Sequence, residues 1–161
     1  MSIGLIGRKV GMTQVFEADG TMVAVSVIKV APNTVTRLRT EDRDGYAAVQ
    51  LGTEEKKKLT KPELGQLKGL PSLGTIREFR MDDLSGYEVG QTIGITDLFA
   101  AGDLVDVTGV SKGKGFAGHM GDEQVTTKKV KVVQADADRQ LLLVKGTLPG
   151  SRGSLILVKK A

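Results

Sequence analysis

Short runs rich in valine and isoleucine recur along this chain, each closed off by turn-forming residues, at a spacing of about ten residues. Runs of that length are too short for helices, and their β-branched content suits a pleated, half-buried surface. They cover residues 13–16, 22–31, 34–39, 46–52, 75–79, 91–95, 104–110, 125–135, 140–144 and 155–159. Ala18-Asp19-Gly20, Pro32-Asn33 and Asp42-Arg43-Asp44-Gly45 separate the first four, so consecutive hairpins are expected there. Between 128 and 133 the lysines Lys129 and Lys131 alternate with Val130 and Val132, which gives one wet and one packed strand face. Helix is minor. Thr60-Lys61-Pro62-Glu63 carries a capping box with proline in the first turn, predicting a helix that ends by Gly69, and a second helical turn is expected over 96–99. The pattern predicts a mainly β fold: a small closed β-barrel with one or two short helices, in a single domain spanning 1–161.

With 161 residues and 40% hydrophobic content, the chain can bury one core. It contains no cysteine, which excludes disulfides and thiolate metal sites and fits a reducing compartment. No stretch approaches the roughly 18 apolar residues of a membrane span, so no membrane partner and no export are expected. The net charge of +4 is unevenly distributed: residues 1–110 carry 13 Lys+Arg against 15 Asp+Glu, and residues 111–161 carry 10 against 4. Attraction for a polyanion is therefore concentrated in the last third, whereas residues 81–110 hold six carboxylates and no Lys or Arg.

Three segments pair basic residues with glycine: Gly7-Arg8-Lys9-Val10-Gly11-Met12-Thr13, the loop Ser111-Lys112-Gly113-Lys114-Gly115-Phe116-Ala117-Gly118-His119-Met120-Gly121, and Leu148-Pro149-Gly150-Ser151-Arg152-Gly153. Glycine allows the backbone to come close to a polyanion, and lysine or arginine supplies the charge. RNA backbone is the partner these segments suit. The candidate contacts are Arg8, Lys9, Lys112, Lys114, Arg152, Lys128, Lys145 and His119, while Lys56-Lys57-Lys58 reads first as a solvated run. Residues 113–118 match the dinucleotide pattern of alternating glycines, but a β-like run rather than a long helix follows, and the Walker pattern fails in spacing. A lone histidine in a glycine-rich loop lacks a positioned nucleophile, so no enzyme, cofactor, metal or small-molecule substrate is expected. Phe16, Phe79 and Phe99 are assigned to the core, and the scarcity of aromatic rings argues against a base-stacking platform.

Several longer motifs are individually unusual: IGLIGRKVGMTQVF from Ile3, LTKPE at Leu59, EFR at Glu78, VDVTGVSKGKGFAG from Val105, GHMGDEQVT from Gly118 and LLLVKGTLPGSRGSLILVK from Leu141. In this order they make the chain closely resemble the ribosomal protein L-three family of the large subunit, in its bacterial form. The resemblance implies a six-stranded translation-protein-type β-barrel in the cytoplasmic ribosome. It further implies binding to large-subunit ribosomal RNA, contact with neighbouring ribosomal proteins, a part in early assembly and no enzymatic role. The chain departs from the family in one respect. Family members carry a long basic extension after the GKGFAG motif, whereas here Phe116-Ala117-Gly118 runs straight into His119-Met120-Gly121, so the extension is absent at about 117–119. Roles the family assigns to that extension do not carry over. The alternative reading is an engineered or reconstructed stand-alone β-barrel scaffold with little RNA affinity.

Overall fold

The computed structural model describes residues 3–116 and 121–161. Along the chain the elements are β1 (Gly4–Phe16), β2 (Met22–Lys29), β3 (Asn33–Arg39), α1 (Glu41–Asp44), β4 (Ala48–Glu55), α2 (Lys61–Gln66) and β5 (Leu73–Arg80), then β6 (Thr92–Ile93), α3 (Ile95–Leu98), β7 (Leu104–Val110), β8 (Gln124–Asp136), β9 (Leu141–Lys145) and β10 (Leu155–Lys160). The fold is mainly β, as expected. Six strands close on themselves in the order β1-β10-β7-β8-β9-β2, and all six contacts are antiparallel. The other four form a second sheet, β5-β4-β3-β6, which the sequence reading did not anticipate. One buried cluster runs through both, from Leu5, Ile28, Val107, Val144 and Ile156 in the ring to Val35, Val49, Leu51 and Phe79 in the second sheet.

The ring and the second sheet meet at β1. Its first half pairs with β10, Gly4 opposite Lys159 through Arg8 opposite Leu155, and its pairing with β2 begins only at Arg8 opposite Lys29. Between residues 4 and 7 the other edge of β1 therefore needs a different partner. Asn33, fully buried at the start of β3, supplies it. Its side-chain oxygen accepts the Ile6 N–H at 3.0 Å, and its amide donates to the Ile6 carbonyl at 3.3 Å and to that of Ala31 at 2.9 Å. A single side chain thus substitutes for a strand residue, so two buried backbone groups stay paired where the chain leaves the ring.

This junction corrects several expectations. Pro32-Asn33 does not turn a hairpin; it carries the chain from the ring into the second sheet. Asp42-Arg43-Asp44-Gly45 does connect neighbouring strands, but as the single helical turn α1, capped by Gly45 at φ 83°. Residues 4–12, ahead of the strand expected at 13–16, are strand as well, and Gly4 and Gly7 answer to close packing. A side-chain carbon on Gly4 would collide with the Val158 carbonyl and lie 2.6 Å from the Phe79 ring, and one on Gly7 would lie 2.7 Å from Ile28. Phe16 is not core. It is 68% exposed, whereas Phe79 and Phe99 are buried. The local signals hold better. α2 begins after Thr60, whose N–H bonds the Glu63 carboxylate at 3.0 Å, and α3 starts one residue before the expected turn. Lys129 and Lys131 lie exposed on either side of buried Val130.

Replacing Asn33 tests the junction. Asn33→Ala leaves the Ile6 N–H and carbonyl without that partner, and a loss of about 3 kcal/mol is expected from two buried backbone groups. For a chain of this size that corresponds to a fall in Tm of roughly 6–12 °C, readable by calorimetry.

Candidate nucleic-acid interface

The three basic glycine segments come together. Lys9 N–H donates to the Ser154 carbonyl at 3.0 Å, and the Gly153 N–H returns a bond to the Lys9 carbonyl at 2.7 Å, so the connection between β9 and β10 is stitched to β1. A carbon on Gly11 would lie 3.7 Å from Nε of Arg152. On the other flank, Gly150 sits in the left-handed region at φ 93°, and a carbon there would meet the Ser154 hydroxyl at 2.5 Å and the Val110 carbonyl at 3.0 Å. Only glycine suits both its backbone angle and its crowding. The end of β7 and the 146–154 connection are thus in contact. Beyond Val110 the ladder with β8 continues, with Ser111 N–H to the Glu123 carbonyl at 2.9 Å and Asp122 N–H to the Ser111 carbonyl at 3.1 Å. Lys112 and Lys114 follow at this ladder's end, both exposed.

The structure separates the basic residues into two kinds. Lys9 Nζ donates to the carbonyls of Leu148 at 2.9 Å and Gly150 at 2.8 Å, so its ammonium clamps the neighbouring loop. Burial, and then the charge of Lys112, lower its pKa from the usual lysine value. Arg8 is likewise engaged. Its guanidinium lies 2.9 Å from the Glu54 carboxylate and donates to the Gly153 carbonyl at 3.2 Å, bridging β1, the end of β4 and the 146–154 connection. Both were expected to reach outward as phosphate contacts, and both instead face partners within the chain. At this junction Lys112, Lys114, Lys145 and Arg152 are exposed, Lys145 standing where β9 enters the same connection. Lys128 is exposed but lies within β8, in the irregular stretch opposite Asp106, away from the cluster. His119 falls outside the described residues. The Lys56–Lys58 run leaves β4 two residues after Glu54 and is exposed throughout.

Comparison with known proteins settles what kind of chain this is. The family model described as Ribosomal protein L3 matches residues 72–141. Large ribosomal subunit protein uL3 of Bacillus thuringiensis (strain Al Hakam) is 40% identical over 206 aligned positions, covering 100% of this chain and 98% of the relative. The proteins of the same description from Bacillus mycoides (strain KBAB4) and Bacillus cereus (strain B4264) match to the same extent. The chain belongs to the ribosomal protein L3 family. It is a structural protein of the large ribosomal subunit and not an enzyme. Against its L3 relatives it is short: 206 aligned positions against 161 residues leave at least 45 with no counterpart here.

The Arg8–Glu54 pair gives a pH test. Burial pushes the Glu54 carboxyl up, but bonds from Arg8 and from the Thr75 hydroxyl at 2.9 Å outweigh it and hold the pKa below the ordinary glutamate value. A carboxylate whose pKa is lower when folded stabilises the fold above its unfolded pKa, and the gain disappears as pH falls through the folded value. The side chains are 39% and 40% exposed, so solvent screening keeps the gain small. Glu54→Gln is expected to be less stable than the parent at neutral pH. Urea unfolding should show the difference closing as the pH falls below the ordinary glutamate range.

Proposed function

We propose that this chain binds large-subunit ribosomal RNA through the surface where the 111–116 loop and the 146–154 connection meet, with Lys112, Lys114, Lys145 and Arg152 facing the phosphates. The supporting observation is the convergence of these segments, together with the partition of charge between clamped and exposed cations. Arg8 and Lys9 position the surface instead of touching RNA, and Lys128, His119 and the Lys56–Lys58 run are secondary contacts. Family membership supports the RNA partner, a place among other ribosomal proteins of the cytoplasmic large subunit and a part in its assembly. We further read the six-stranded ring as a translation-protein-type β-barrel, and residues 1–161 as one domain, supported by the buried cluster that crosses both sheets. The family's long extension is assigned to the positions missing from this chain at about 117–119. No observation favours the stand-alone scaffold reading.

Binding to a large-subunit RNA fragment across a salt series tests the reading, because each phosphate contact releases counterions and sets the slope of log affinity against log salt. Lys112→Gln, Lys114→Gln and Arg152→Gln should each lower the magnitude of that slope by about 1. Lys9→Met should weaken binding with the slope unchanged, since it frees the loop and removes no phosphate contact. An affinity insensitive to salt contradicts the proposal.

A further inference from the structure

The arm made by the outer parts of β1 and β2, residues 11–27, differs in chemistry from the surface around it. From Val10 to Ile28 there is no lysine or arginine, and the only charges, Glu17 and Asp19, sit at its tip. Met12, Phe16 and Met22 lie on one face, since Phe16 pairs with Met22 and Met12 is an even number of pairs, four, further along. They are 48%, 68% and 54% exposed. Three large apolar side chains on an uncharged strand face do not suit RNA backbone, which needs cations.

The same arm carries an open strand edge. Glu17 N–H bonds the Thr21 carbonyl at 2.8 Å, which makes this the first hydrogen-bonded pair of the hairpin. Antiparallel pairs alternate, so Val15–Val23 and Thr13–Val25 are bonded across the hairpin, and Met12, Gln14 and Phe16 point their N–H and C=O groups away from β2. The Gly146 N–H bonding to the Ala24 carbonyl at 3.1 Å fits this phase, because Ala24 lies opposite Gln14 and turns its own groups outward. Pairing of β1 with β10 stops at Arg8, and among the described residues no hydrogen bond is made from Met12, Gln14 or Phe16 on that edge. A groove of about 490 Å³ lies beside the tip, walled by Val15 to Ala18 on one side and by Gly102 and Lys131 to Gln134 on the other. Open edges are ordinarily guarded by lysine, proline or a bulge. Here residues 11–16 include neither residue, and the bulge at Val10 precedes the open stretch.

We infer that this arm is a docking edge for an extended, basic segment of another large-subunit protein, which adds as a strand beside β1 and covers Met12 and Phe16. Main-chain bonds to Met12, Gln14 and Phe16 hold the segment, its apolar side chains cover the exposed face, and its cations meet Glu17 and Asp19. The charge of the arm selects a protein over RNA, and the choice of a large-subunit protein rests on the family placement.

The probe is a synthetic decapeptide alternating valine with lysine, added to the isotopically labelled full chain, with amide hydrogen exchange followed by NMR. Binding should slow the Met12, Gln14 and Phe16 amides by about tenfold or more and leave Thr13 and Val15, already bonded to β2, unchanged. Gln14→Pro removes one outward N–H without breaking the hairpin ladder and should abolish the effect. Phe16→Lys, on the exposed face, should weaken it and serves if the proline variant unfolds. No protection of these amides by the peptide overturns the inference. So does equal protection by an RNA oligonucleotide, or protection that grows with chain concentration alone and reports self-pairing. The assay contains no RNA in its main arm, and Lys112→Gln should leave it unchanged, so its failure is distinct from failure of the RNA reading.

Discussion

A buried carboxamide standing in for a missing strand holds this architecture together. β1 serves two neighbours in succession, β10 over its first half and β2 over its second, and a strand that changes partners leaves buried backbone groups to be satisfied at the crossover. Asn33 does this by giving one acceptor and one donor to Ile6 while beginning the second sheet. The sheet is therefore tied to the ring at the residue where it starts, and Phe79 can lie against Gly4. Arg8 adds a second tie two residues further on, through Glu54. Fixing β1 in this way fixes everything attached to its middle, including the connection clamped by Lys9.

Charge in this chain has two uses, and similar residues in similar sequence settings are put to different ones. Lys9 and Lys112 both stand beside valine- and glycine-containing stretches, yet one spends its donors on two backbone carbonyls and the other is exposed. After burial, the charge of Lys112 contributes to lowering the Lys9 pKa. A cation with satisfied donors is a poor phosphate ligand, because binding would have to break the bonds it already makes. The clamped cations shape the surface and the exposed ones charge it. The arm at 11–27 carries neither kind and presents apolar side chains and open backbone groups instead.

What could be read from the sequence was what is decided locally. The capping box at Thr60 and Glu63, the alternation of Lys129 and Lys131 with valine, and the Ala18-Asp19-Gly20 turn each depend on residues a few positions apart, and each forms as expected. The misreadings share the opposite property. Gly7 was read as part of a basic contact segment because the Ile28 side chain that excludes a side chain there is distant in sequence. Pro32-Asn33 looked like a turn because the partner of Asn33 lies 27 residues away. Phe16 was assigned to the core because alternation tells which residues share a face but not which face is covered. At the candidate interface, the three basic glycine segments were legible from their composition, but their meeting was not, because it depends on long-range contacts such as Lys9 with Ser154 and Gly150 with Val110. The inward engagement of Arg8 and Lys9 was not, since it depends on where β4 and the 146–154 connection arrive.

The central claim is that the fold sorts its cations, turning some inward as clamps and gathering others on one RNA-facing surface. Lysine acetylation rates, measured by mass spectrometry with and without a large-subunit RNA fragment, test it most directly. The account predicts that RNA protects Lys112, Lys114 and Lys145, leaves Lys159 and Lys160 at the far end of β10 unprotected, and hardly changes Lys9, whose ammonium is turned onto the Leu148 and Gly150 carbonyls. Protection spread evenly over all the lysines, or strongest at Lys159 and Lys160, would contradict it.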